Sequence, residues 1–378
     1  MAQETKKITE LSALDAFTLS TLFVTHNGTG ARKATMQQLW DFLPNLTNAG
    51  TAAEAARVHN GIYRGKQIGT TVSSAQYDAI AAGTFTDMYI GDYWKIGGVN
   101  YRIVAFDYYR SCGDGTEHNN PSHTWTDANN VVHTIPIRGV ITLHHVTIMP
   151  DTPLYNSKMN NTNTTNGGYG SSLMRVGTTV YTALATKTYY SDSACTTSAG
   201  TLAEDTPATF VNVETCSVSI SDVTYYVKMT DCDVSYDLRS SGLAQAKDTV
   251  ITAFGDTHLL GMRKYIVNAA TDGVATAGGW EDSFLELPNE VNMYGSHIVA
   301  AMNSNNINHY KYTVDKTQFP LFRFAPDLIS NRQYFWLQDI ATSARFAIVG
   351  SRGYATADTA SNGGGVRPVF SIVKSNAL

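Results

Sequence analysis

Histidines and acids gather between residues 114 and 145, as Asp114, Glu117, His118, His123, His133, His144 and His145. Such groups can ligate zinc, but a metallohydrolase needs them at set spacing on a rigid element with a carboxylate base beside them. Neither H-E-x-x-H nor H-x-x-E-H occurs. His144 and His145 are adjacent, and on a strand adjacent side chains point to opposite faces, so the pair does not serve one site. The cluster therefore reads as structural and surface histidines, with the loop CGDGTEHNN (112–120) as the place where a structural ion would sit. A second acidic stretch, WEDSFLELPNE (280–290), carries Glu281, Asp282, Glu286 and Glu290. Two carboxylates hydrolyse a glycosidic bond only at a fixed separation, which sequence spacing does not give. The stretch reads instead as residues that cap and solvate a helix or loop. A P-loop, a G-x-S-x-G elbow and a dinucleotide fingerprint are all missing. Cys112, Cys195, Cys216 and Cys232 lie far apart without a C-x-x-C pair. They read as free thiols, with a disulfide between two of the last three as the alternative. No catalytic residue, no metal and no cofactor is expected.

Adaptable polar chemistry is densest near the C-terminus, in FWLQDIATSARFAIVGSRGYATADTASNGGGVRPVF (335–370). Trp336, Leu337, Phe346, Val349, Ala355, Val366, Pro368 and Phe370 have the character of a packed frame. Ser343, Arg345, Ser351, Arg352, Tyr354, Thr356, Asp358, Thr359 and Asn362 have the character of a displayed face. Tyrosine brings contact area at low entropic cost, arginine brings charged hydrogen bonds, and serine and glycine adapt. That is binding chemistry. A polar loop over a core, with no ligand, is the alternative.

The elements that must hold such a face can be read in order. Residues 1–48 form a small unit with apolar Leu11, Leu14, Leu19, Leu22 and Val24, and a hairpin turn at Asn27-Gly28. A helix is expected from Thr35, with Met36, Leu39, Trp40 and Leu43 at helical spacing and Pro44 ending it. The unit is too small to bury a core of its own, so a partner or copies of itself must stabilise it. Residues 49–90 read as a helical linker, with an Ala-rich helix up to Asn60-Gly61 and a capped helix in 73–85 ending at Gly83. MYIGDYWKIGGVNYRIVAFDYY gives two strands around Gly97-Gly98, and PIRGVITLHHVTIMPD a buried strand. The stretch 176–237 alternates over short strands with Ser/Thr/Asp turns and reads as an inserted β subdomain. LRSSGLAQAKDTVITAFG (238–255) follows as an amphipathic helix with Leu243, Ala246, Val250 and Phe254 on one face. A long internal repeat is lacking, which argues against a β-helix.

Bulk composition narrows the partners. The chain of 378 residues is 43% hydrophobic and only 16% charged, with 21 Tyr and 30 Gly, a texture of loop-rich β proteins. A net charge of −5 without a basic run argues against nucleic acid. The N-terminus has no apolar h-region, and no stretch approaches the ~20 apolar residues of a membrane span. Synthesis in a cytoplasm and no membrane insertion are expected.

Residues 1–48 resemble the N-terminal segment of tailed-phage fibre and head-fibre proteins. Lys6, Lys7, Ile8, Glu10 and Leu11 match a K-K-I-x-E-L opening, and Lys33, Thr35, Gln38 and Leu39 a K-x-T-x-x-Q-L helix. From Gly91 onward, apart from the insertion, the chain resembles the C-type-lectin-like domains of phage and prophage variable proteins, the tropism-determinant class. The resemblance is carried by IGDYWKIGGVNYRIVAFDY, HHVTIMPDTPLYNSKMN, NGGYGSSLM, GGWEDSFLEL, YGSH, FPLFRFAPDLISNR, YFWLQD and GGGVRPVF, over most of 91–175 and 238–378. It implies an α+β fold: a small particle-docking segment at 1–48, then a C-type-lectin-like domain over 91–378 with 176–237 inserted. It also implies a homotrimer in the virion, attached through 1–48 to a capsid or tail protein and binding a bacterial surface receptor, protein or glycan, through the displayed face. Enzymes of the same general fold use cysteines near the C-terminus or a histidine-iron triad. This chain has no cysteine after Cys232, and no such triad can be assembled, so the fold brings no activity with it. A glycan-degrading fibre and a capsid decoration protein without a specific receptor are the alternatives. The stretch 342–364 lacks Lys, Gln, Glu, Met and Trp, the residues that randomising the first two bases of an Asn codon cannot give, as expected of a segment varied by a diversity-generating retroelement.

Overall fold

In the computed structural model the described residues are 22–26, 31–35, 52–113, 122–127, 131–160, 163–165, 168–169, 180–182, 187–202, 207–212, 217–220, 223–228, 243–271, 273–301 and 317–377. Near the N-terminus β1 (Leu22–His26) and β2 (Ala31–Thr35) pair antiparallel, Leu22 facing Thr35 and His26 facing Ala31, as the Asn-Gly signal predicts. The helix expected after Thr35 lies outside the described residues.

Helix α1 (Ala52–His59) buries Ala56, Val58 and His59 and turns Arg57 outward. Strand β3 (Gln67–Gly69) leads to α2 (Ser74–Ala81), whose start is a capping box. There the Gln76 amide donates to Ser73 Oγ (3.2 Å) and the Ser73 amide to Gln76 Oε1 (2.9 Å). β4 (Tyr93–Ile96) and β5 (Val99–Phe106) meet at Gly97 and Gly98, both at positive φ (57° and 85°), which the tight two-residue hairpin requires.

After β6 (Ser122–Thr126), the stretch expected as one buried strand is two, β7 (Val132–Arg138) and β8 (Val146–Pro150). The chain leaves the sheet between them because its backbone is taken elsewhere. The Ser111 amide donates to Ile141 O (2.8 Å), the Ile141 amide to Cys112 O (2.9 Å) and the His145 amide to Asp107 Oδ1 (2.9 Å).

β9 (Tyr155–Lys158) precedes six short strands, β10 (Val180–Thr182), β11 (Lys187–Tyr190), β12 (Ser198–Leu202), β13 (Pro207–Asn212), β14 (Ser217–Ile220) and β15 (Val223–Tyr226). Among the described residues these six pair only with one another, in the order β10-β13-β14-β15-β11-β12. Helix α3 (Leu243–Phe254) buries Leu243, Ala246, Val250 and Phe254, the face that its spacing predicts. The rest is β16 (Gly261–Thr271), β17 (Val274–Ser283), β18 (Leu285–Glu286), α4 (Glu290–Tyr294), α5 (Pro320–Phe324), β19 (Phe335–Thr342), β20 (Arg345–Val349), β21 (Ala355–Thr359), β22 (Gly363–Val366) and β23 (Val369–Ile372).

The architecture is mixed α+β and mostly sheet. One sheet runs β18-β23-β8-β5-β4-β3, so the last strand is joined to the first hairpin of the domain through β8. A second runs β21-β20-β19-β22-β9, and a third β17-β16-β7-β6. A shared core ties the first two to α3, through Trp94, Tyr101, Ile103, Phe254, Phe335, Trp336 and Phe370. Fully burying an aliphatic or Phe side chain of this kind is worth about 1.5–3 kcal/mol, and that is what fixes the sheets against each other. Among the described residues no helix is long and apolar enough to cross a membrane.

Candidate functional site

The polar C-terminal stretch folds as a meander. β19 pairs antiparallel with β20 and β20 with β21, while β22 returns on the other side of β19 to pair with β9. The frame residues Trp336, Leu337, Phe346, Val349, Val366, Pro368 and Phe370 are buried, and Ala355 is half-buried. Two glycines of the Gly363-Gly364-Gly365 run have a steric reason. A Cβ on Gly364 would sit 2.4 Å from Trp336 Nε1, and one on Gly365 would sit 2.7 Å from Pro153 Cγ. The strand can therefore lie flat under the indole, whose Nε1–H donates to Ser157 O (2.8 Å).

Of the display residues, Ser343, Arg345, Ser351, Arg352, Tyr354 and Asn362 are exposed, whereas Thr356, Asp358 and Thr359 on the edge strand β21 are half-buried. They do not form one patch. Arg345 lies opposite Thr359 in the register, and with Ser343, Asp358 and Asn362 it marks one end of the meander. Ser351, Arg352 and Tyr354 lie beyond Val349 and Ala355 at the other end, roughly 13 Å away along a five-residue strand. Asp358 is partly engaged within its own turn, accepting from the Thr359 amide and from Asn362 Nδ2 (both 2.8 Å). Tyr354 is 56% exposed, with its ring laid over Gly350, where a Cβ would come within 2.6 Å of Cζ.

Both ends are held from below through main-chain oxygens. At the first, the Thr165 amide donates to Ser343 O and Thr165 Oγ1 to Thr342 O (both 2.9 Å). The Met159 and Asn160 amides donate to Ala360 O (3.0 and 2.9 Å), and the Tyr334 hydroxyl to Gly363 O. At the second, Tyr294 Oη donates to Gly353 O and Ser330 Oγ to Ser351 O (both 3.0 Å). Burial raises the Tyr294 phenol, with the nearby Glu290 carboxylate adding to the effect, and burial likewise raises Tyr334, aided by Asp358, so both stay donors. A carbonyl is present whatever the side chain. Each turn is thus held through its main chain, with Asp358 and Asn362 the displayed side chains that also brace their own turn.

Among the described residues the histidine cluster does not assemble. His144 Nδ1 meets Asp107 Oδ2 at 2.6 Å, while the buried His145 ring takes the Tyr109 amide on Nε2 (3.0 Å) and gives Nδ1–H to Leu143 O (3.1 Å). Neither lies on a strand, contrary to the sequence expectation, because both are fastened to the Asp107 turn. His133 bridges Asp256 (2.9 Å, Nδ1) and Asp127 (3.3 Å, Nε2) with opposite edges of its ring, so the three groups do not converge on a point. No group of three or more His, Cys, Asp or Glu could hold a metal among the described residues. Asp114, Glu117 and His118 lie outside them, as does the side chain of His123.

The acidic stretch also departs from expectation. Asp282 pairs with Arg263 (2.6 Å), but Glu290 and Glu286 are buried rather than solvated. The Glu290 carboxylate gathers the amides of Ile298 (2.7 Å), Val299 (3.1 Å) and Ala300 (2.9 Å). It shapes a loop from inside. Arg367 of the GVRP motif is another inner organiser. Its guanidinium is buried between Phe335 and Phe322, and Nε donates to Pro150 O (2.8 Å). Burial brings its pKa down to about 10.

No family model, curated protein or solved structure matches the chain.

Proposed function

We propose that the chain is a phage virion fibre protein. In this reading residues 1–48 dock a homotrimer to a capsid or tail protein, and a C-type-lectin-like domain over 91–378, carrying the 176–237 insertion, binds a receptor on the bacterial surface. The contact residues are Ser343, Arg345, Asp358, Thr359 and Asn362 at one end of the C-terminal meander and Ser351, Arg352 and Tyr354 at the other, with Thr356 on the edge strand between them.

The observation that carries the reading is the grip on main-chain oxygens. Thr342, Ser343, Ser351, Gly353, Ala360 and Gly363 are all held by their carbonyls, from buried or half-buried donors outside the turns. Such bonds steady any loop, but because they use main-chain oxygens they leave the side-chain identities free, which suits a surface that presents interchangeable residues to a receptor. Tyrosine and arginine at the exposed positions suit such contacts.

The test is adsorption blocking. Purified chain added to host cells should prevent phage attachment, and the triple change Arg345→Ala, Arg352→Ala, Tyr354→Ala should abolish the block while moving the melting temperature little. Full blocking by the triple variant, or no blocking by the wild-type chain, would sink the proposal. Release of reducing sugar from host glycan would favour an enzymatic fibre instead.

A further inference from the structure

A groove of about 970 Å³ opens between α1, the turn after β5 and α5, and none of the residues assigned to receptor contact above line it. Arg57, Arg110 and Arg323 all line it, one from each element. Its apolar wall includes Phe106, Tyr108 and Phe324, and Phe324 is 47% exposed.

The three elements are locked together, so the arginines are presented from a fixed wall. Asn60, at the end of α1, exchanges two hydrogen bonds with the Phe106 backbone (2.8 Å each). Tyr108 Oη donates to Thr317 O (2.5 Å), which ties the turn to the start of α5. α5 itself is anchored by the buried Phe319, Leu321 and Phe322.

Charge decides what the groove would take. Asp107 is the one carboxylate on its wall among the described residues, and His144 (2.6 Å) and the His145 amide (2.9 Å) already occupy it, with Arg110 at 3.7 Å. Among the described residues Arg57 and Arg323 make no ion pair and no side-chain hydrogen bond. Clustered like charges repel unless an anion lies among them, and guanidinium pairs with carboxylate through two parallel hydrogen bonds. An exposed aromatic ring beside them offers a flat apolar surface for a sugar. The net charge of −5 disfavours a long polyanion running across the molecule, but not a short anionic segment inside the groove.

We propose that this groove is a binding site for an acidic saccharide, its carboxylates on Arg57, Arg110 and Arg323 and a sugar ring against Phe324. Its place in adhesion rests on the fibre reading, but the binding itself does not.

Calorimetry on the purified full chain tests it with oligogalacturonate, the same oligomer methyl-esterified, inorganic phosphate and a single-stranded oligonucleotide. The acidic oligomer should bind and weaken as salt rises, because exposed charges are screened over about 8 Å at physiological ionic strength. Methyl esterification, or the double change Arg57→Gln, Arg323→Gln, should weaken binding roughly tenfold or more. Lys95→Gln, at an exposed cation that does not line the groove, should leave it unchanged. Equal binding of the esterified oligomer, unchanged binding by the double variant, or no binding by wild type overturns the proposal. Tighter binding of phosphate or oligonucleotide than of the uronate also overturns it, in favour of a phosphate site. Failure of adsorption blocking with uronate binding intact would strike the fibre reading alone.

Discussion

Single side chains divide between those that hold and those that show. Trp336 holds: it is fully buried, its indole covers Gly364, and its Nε1–H is bound. Trp336→Ala should therefore cost about 3–5 kcal/mol in urea unfolding. Gly364→Ala should also destabilise, since a Cβ 2.4 Å from the indole nitrogen forces the strand or the ring to move. A Gly364→Ala midpoint equal to wild type would show that the ring is not seated there. Two histidines give opposite pH signatures. Burial keeps His145 below the ordinary value of 6.5, against the pull of Asp107. Its share of stability is intact above that value and is lost as pH falls through it, because the unfolded chain takes the proton first. For His133, burial opposes the charge, but hydrogen bonds to Asp256 and Asp127 outweigh it and raise the pKa. Its share is full below 6.5 and is lost as pH rises through the folded-state value. Urea midpoints from about pH 5 to about pH 8 should fall less steeply on the acid side for His145→Gln, and less on the alkaline side for His133→Asn. Slopes equal to wild type in both variants would remove these assignments. At this scale the frame was legible, because Trp, Leu and Phe in a strand context have few fates. Glu290 was not, because a buried carboxylate is defined by amides of residues 298–300 that only folding brings to it.

At the level of elements, local signals carried and distant ones did not. The β4–β5 hairpin was readable from Gly97-Gly98, and α2 from its cap, since each is decided within a few residues. The long β16–β17 hairpin was missed. Its turn does carry the Asp272-Gly273 pair, a hairpin signal, but the Ala-Gly-rich β17 has no strong alternation to support it. The split of β7 from β8 depends on bonds to residues 111 and 112, some thirty positions away, and no periodicity reports it. The meander was expected to be one face, yet its turns alternate between the ends of β20, so the exposed groups separate into two sets. The six strands between 180 and 226 make a sheet to themselves among the described residues, the pairing that a separable insertion predicts. Replacing 176–237 by a short Gly/Ser linker should leave a cooperative thermal transition and the native near-ultraviolet spectrum of the remainder, since closing a surface loop is cheap. Loss of the transition would mean that the insertion completes the core.

For the molecule as a whole, the question is why so firm a frame carries so replaceable a surface. The answer we propose is variation at the gene level, and the structure restricts where such variation could fall. Within 342–364, Phe346, Ala347, Ile348, Val349 and Ala360 are buried, and Gly364 lies beneath Trp336. Randomising those codons would produce cavities, clashes or buried polar groups, each costing one to several kcal/mol against a total of about 5–15. A retroelement acting on this segment should therefore have adenine-rich template codons at 343, 345, 351, 352, 354 and 362, with the half-buried 356, 358 and 359 varying less. The codons for 346–349, 360 and 364 should be free of targeted adenines. Sequencing the locus and its sister phages tests both parts. A near-copy of the segment, differing almost only at template adenines and lying beside a reverse transcriptase gene, is the expected finding. Variation as frequent at 346–349 as at 351–354 would contradict the frame, and an invariant segment without any template copy would end the diversification hypothesis. In the second case the same exposed residues would constitute a fixed receptor site, and the adsorption phenotype of the Arg345, Arg352 and Tyr354 variant should then be identical across sister phages of one host.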